Sequence, residues 1–170
     1  ELLSAEKIVY NQWSNGNIFK HIVQTSKGGA SFENRIKFND YDDYDNITEI
    51  QQENGVSISY IWGYNHTQPV AKIENIAYNS IPLSLRTAIH SATTESAMVS
   101  ALTALRSHSN LSNAMVTTYT YIPLVGIKTI TDPKGYKTTY HYDNFNRLEK
   151  VTDMQDNILS ENQYHYRTQN

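Results

Sequence analysis

Aromatic side chains recur at every second position in two parts of this chain. Tyr60 and Trp62 flank Ile61, and Tyr140 and Tyr142 flank His141. Side chains alternate across a strand, so each pair puts two rings on one face. Turn-forming residues bound these runs. Asp143, Asn144 and Asn146 carry side chains that bond nearby backbone, Pro133 suits the second position of a turn, and Gly135 tolerates positive φ. Weaker strand patterns at Ile8-Val9-Tyr10 and Ile22-Val23 are separated by Ser14-Asn15-Gly16-Asn17, and Lys27-Gly28-Gly29 marks another turn. The prediction is a mainly β chain of consecutive antiparallel hairpins forming a curved open sheet.

The pattern is internally repetitive. Tyr140-His141-Tyr142-Asp143 returns as Tyr164-His165-Tyr166-Arg167. Laying Ile130–Tyr142 over Ile50–Trp62 places Gly135 on Gly55, Tyr140 on Tyr60 and Tyr142 on Trp62. Tyr142–Asp153 laid over Tyr41–Gln52 aligns Tyr-Asp with Tyr-Asp, Leu148 with Ile47 and Val151 with Ile50. The unit is an aromatic pair and Asp, a polar turn, Leu/Ile-x-x-Val/Ile, a turn such as Asp-Pro-Lys-Gly, then the next pair. Four segments follow: residues 1–35 as divergent β repeat, 36–78 and 118–170 as repeat hairpins, and 79–117 as an insertion with a loop.

Within that insertion, Leu85, Ile89, Ala92, Met98, Leu102 and Leu105 fall near helical spacing, with Pro82 at a first helical position. Thr93-Thr94 is an interruption that divides the segment into two short helices. Its apolar stripe is expected to cap the sheet, leaving Arg86, Thr94, Glu95 and Arg106 in water.

Composition narrows the function classes. Fourteen basic against 17 acidic side chains give a formal net charge of −3, which is no electrostatic footprint for nucleic acid or a polybasic membrane surface. No apolar run approaches a membrane span, and the first residues do not read as a signal peptide. The first residue is not Met, so a piece of a longer protein is expected. With no Cys, disulfides, thiolate catalysis and Cys-ligated metals are excluded. The 13 Tyr, against four Phe and two Trp, suit strands whose rings pack while the hydroxyl reaches water or a partner.

Candidate chemistry is sparse. His21, His66, His90, His108, His141 and His165 show no metal-motif spacing, and His141 and His165 fall on the strand face opposite the paired rings. Asp40, Asp42, Asp43 and Asp45 crowd into six residues and form a calcium candidate on oxygen-ligand grounds alone, without EF-hand spacing; a solvated turn is the plainer reading. There is no Gly-x-Ser-x-Gly elbow and no phosphate loop. Tyr60, Trp62, Tyr140 and Tyr142 form the candidate binding face, since such rings stack on sugars; packing between neighbouring strands is the alternative. No cofactor and no enzymatic activity are expected.

Tyr142-Asp143, Asn146-Arg147-Leu148, Val151-Thr152-Asp153 and Thr131-Asp132-Pro133-x-Gly135 resemble the YD-repeat, or Rhs-repeat, family. The stretch Tyr60-Ile-Trp-Gly-Tyr64-Asn through Pro69–Glu74 is similar to members from Bacteroidetes. Asn39 and Arg167 depart from the pattern. The resemblance spans roughly residues 36–64 and 118–167 and implies a strand wound into a shell. It also implies a secreted or cell-surface location, with the rest of a longer YD-repeat polypeptide or another protein as partner. A carbohydrate-binding or adhesion module is the alternative. The autoproteolytic core and toxin tip of some members have no counterpart in these residues, so those activities are not carried over.

Overall fold

The computed structural model describes residues 3–13, 16–53 and 55–164. Among the described residues, eleven β-strands and two α-helices lie in two compact units, residues 1–116 and 117–170. The chain is mainly antiparallel β, as the alternation predicts. The predicted echo at His165, Tyr166 and Arg167, and Ser14-Asn15 of the first predicted turn, lie outside the described residues.

The first unit is a meander of β1 (Ser4–Gln12), β2 (Ile18–Lys27), β3 (Glu33–Tyr41), β4 (Ile47–Gln52), β5 (Ser57–Gly63) and β6 (Gln68–Glu74), each strand antiparallel to the one before. The chain then forms α1 (Leu83–His90) and α2 (Glu95–Ser107). Thr94 divides the helices, and its hydroxyl caps α2 by accepting the Ala97 amide at 3.2 Å. Pro82 stands just outside α1 as its N-cap residue rather than inside its first turn.

Core residues of this unit come from both layers. Leu85, Ile89, Met98, Ala101, Leu102 and Leu105 of the helices are buried, as are Ile61, Val70 and Ile73 of the strands. Gly63 is needed for this packing: a Cβ there would lie 2.8 Å from Met98 Cε and 2.9 Å from Val70 Cγ1. Two cations expected in water are instead half-buried. The Arg86 guanidinium lies 4.5 Å from the Tyr78 ring centre, and Arg106 donates to the Val116 carbonyl. Each head finds an acceptor or a ring, as long cationic side chains at the edge of a core do.

The second unit holds β7 (Met115–Ile122, which begins two residues earlier), β8 (Gly126–Thr131), β9 (Lys137–Tyr142), β10 (Leu148–Thr152) and β11 (Ile158–Glu161). These too pair in sequence order, antiparallel throughout.

Candidate functional site

One turn geometry recurs along the chain. At residues 13–17, 42–46, 52–56, 132–136, 143–147 and 153–157 the first N–H donates to the fifth carbonyl at 2.8–3.1 Å. In each, the fourth N–H donates back to the first carbonyl, and the fourth residue (Gly16, Asp45, Gly55, Gly135, Asn146 or Asp156) has φ between 60° and 94°. This is a three-residue hairpin loop closed by a left-handed residue, which favours Gly, Asn and Asp at that position.

The Asp of the repeat stands first in four of these turns. Asp143 Oδ1 accepts the Phe145 and Arg147 amides at 2.8 and 3.0 Å, and Oδ2 accepts Arg147 Nε at 2.8 Å. Asp42 takes the amides of Tyr44 and Asn46, both at 2.9 Å. Asp153 takes those of Gln155 and Asn157, plus Asn157 Nδ2, within 2.8–2.9 Å. Asp132 Oδ1 accepts the Tyr136 amide at 2.9 Å. At Asp143 and Asp153 these bonds favour the charged carboxylate. The Arg147 side chain, then its amide, holds Asp143 below the usual carboxyl range, and Asn157 does the same for Asp153. The spacing of Asp, Asn and Arg in the motif is therefore the wiring of a turn.

The paired rings follow a second rule. Tyr60 and Trp62 are half-buried on the β5 face opposite buried Ser59, Ile61 and Gly63. Trp62 Nε1 donates to the Ile47 carbonyl at 2.8 Å, and Tyr142 Oη donates to the Ile127 carbonyl at 2.8 Å. Tyr164 Oη reaches the Leu148 carbonyl at 2.9 Å, and Tyr41 Oη the Lys20 carbonyl at 2.9 Å. Trp62, Tyr142 and Tyr41 thus lie across the preceding strand with their polar tips on that strand's backbone. Gly126 leaves room for this: a Cβ there would sit 2.7 Å from Tyr142 Oη. Burial pushes the Tyr142 hydroxyl pKa up, and that of Tyr41 likewise.

Tyr60 and Trp62 belong to the first unit and Tyr140 and Tyr142 to the second. In the second unit an open groove of about 490 Å³ is lined by Lys128, Tyr140, Tyr142, Asp143, Asn146 and Glu149 among others. His141, between the two rings, also lines this groove, with Nε2 3.0 Å from Thr152 Oγ1.

The four clustered aspartates do not converge. Asp42 is engaged by its own turn, Asp40 lies in β3 opposite Glu49, and Asp45 accepts Asn17 Nδ2 at 3.0 Å. Among the described residues no group of three or more His, Asp or Glu side chains is placed to hold a metal ion.

A cluster that spacing did not signal forms where the β3–β4 and β5–β6 turns meet α1. Tyr64, Asn65 and His66 are consecutive left-handed residues, with φ of 50°, 57° and 61°. That turn carries the His66 ring onto Tyr44, with centres 3.9 Å apart and planes 14° apart, and to 4.7 Å from the His90 ring. His66 Nδ1 is buried without a hydrogen-bond partner, 3.6 Å from Asp42 Oδ2.

Antiparallel hairpins in sequence order, six of them closed by one turn geometry and several locked by a ring-to-backbone bond, define a β-repeat protein. Residues 126–154 match the family model described as RHS Repeat, so the chain carries an RHS, or YD, repeat over β8 to β10. No curated protein matches the chain.

Proposed function

We propose that the chain is a non-enzymatic structural and interaction module, part of a secreted or surface-displayed YD-repeat shell protein of bacteria. Its partner on this reading is the remainder of such a polypeptide, or a protein that docks on it. One observation carries the proposal: Asp42, Asp132, Asp143 and Asp153, with the Trp62 and Tyr142 donors, are consumed in building the repeat. The aspartates wire turns, and Trp62 and Tyr142 direct their only strong donors into neighbouring backbone. The RHS repeat at 126–154 is a module of the structural kind.

The second reading, a carbohydrate-binding module, is favoured by the groove beside Tyr140 and Tyr142 with its Asp, Asn, Lys and Glu rim. Aromatic faces with planar polar neighbours suit sugar rings. A glycan array probed with the purified chain and with its Tyr140→Ala variant separates the two. The structural reading expects no saturable signal from either protein. Saturable binding by the parent chain that disappears in Tyr140→Ala would replace it with the carbohydrate reading.

A further inference from the structure

The two turns that carry an aromatic residue at their third position use it differently. In 143–147, Phe145 and Asp143 flank the guanidinium of Arg147, which lies 5.3 Å from the Phe145 ring centre and bonds Asp143. In 42–46 the fifth residue is Asn46, which carries no charge. The space between Asp42 and Tyr44 is filled instead by His66, delivered from the next hairpin. An anion and an aromatic face together form a cation-receiving site. A permanent cation fills one copy, and a titratable group fills the other.

His66 is also the hinge of a three-element contact. Its carbonyl accepts Asn46 Nδ2 at 2.8 Å, fixing the β5–β6 turn to the β3–β4 turn. Its ring meets His90, the last residue of α1. Among the described residues, Asp42 and Tyr44 from the β3–β4 turn and Arg86 from α1 face this pair. A proton on His66 sits against Asp42 and the Tyr44 ring. When both rings are protonated, the His90 imidazolium faces a charged His66 and Arg86, with Asp42 as the opposing anion.

We propose that His66 and His90 form an acid-sensitive latch, which holds the C-terminal turn of α1 on the two hairpin turns while at most one imidazole is charged and releases it when both are. Burial of His90, with His66 and Arg86 as further causes, lowers its pKa below the ordinary imidazole value, while Asp42 opposes the shift. Because the folded value is the lower one, the unfolded chain binds the extra proton. The neutral His90 contribution is complete above about pH 6.5 and is lost as pH falls below it. The backbone of Tyr64–His66 is held in a sparsely populated conformation, which suits an element poised to relax.

Two measurements on the full chain test this. The His90 ring is titrated by NMR, and hydrogen-exchange protection of the α1 amides is followed from about pH 7.5 to 5 in the parent, His90→Gln and His66→Asn proteins. Asn tolerates the left-handed backbone at 66. The His90 midpoint is expected below about 6.5 and closer to it in His66→Asn. Protection of α1 is expected to fall severalfold across that range in the parent and to change little in His90→Gln. A His90 midpoint at or above the ordinary value, or an equal loss of protection in parent and His90→Gln, would overturn the latch.

Discussion

Tyr142 and Gly126 show how single residues specify this fold. The hydroxyl occupies space that any side chain at 126 would contest, with a Cβ reaching 2.7 Å from Oη but an ordinary 3.4 Å from Cζ. Tyr142→Phe should lower stability by about 1 kcal/mol, the usual net worth of a buried hydrogen bond. Gly126→Ala should be harmful in the parent and near neutral in the Tyr142→Phe background. A chemical-denaturation double-mutant cycle reads this coupling directly, and additive effects would show that the ring does not depend on Gly126. Asp143 makes a separate residue-scale prediction. Its pKa is depressed by Arg147, so the stability it adds is complete above the free-carboxyl range near about 4 and is lost as pH falls through the lower folded value. Denaturation between about pH 5 and 2 should show a shallower acid loss in Asp143→Asn than in the parent.

At the scale of elements, the hairpin turns are tuned by their left-handed residue. Leu124, between β7 and β8, has φ 62° and is fully exposed, so its side chain gains no packing to offset the backbone penalty. Leu124→Gly should therefore raise stability by about 1 kcal/mol; a loss of that size would mean the Leu side chain is needed there. The helices work by burial. Ile89 of α1 is fully buried, and Ile89→Ala should cost about 2–5 kcal/mol in urea unfolding of the chain. Much of this level was legible in the sequence. Tyr140 aligned on Tyr60 and Gly135 on Gly55 because strands repeat with period two and turns demand fixed residues at fixed places. Thr93-Thr94 signalled the break between helices because a Thr hydroxyl caps a helix better than it continues one.

For the whole molecule, what stayed hidden is whatever depends on where one element's side chain lands on another. His66 and His90 are far apart in sequence, and no Gly marks the left-handed run at Tyr64–His66 that brings them together. Likewise, paired rings suggested a binding face, but only the register of the strands reveals that Trp62 and Tyr142 end on the backbone of the strand before. The repeat is thus a way of propagating hairpins, with turn wiring at the ends and ring-to-backbone locks between. Amide hydrogen exchange tests that claim most directly. Each Asp-led turn should protect its fifth amide, at Asn46, Tyr136, Arg147 and Asn157, while the second-position amides at Asp43, Asn144 and Met154 exchange at solvent rates. Protection repeating in that phase in both units is the predicted result. Fifth-position amides that exchange as fast as second-position ones would contradict the shared turn, and with it the account of this chain as a β-repeat built from one device.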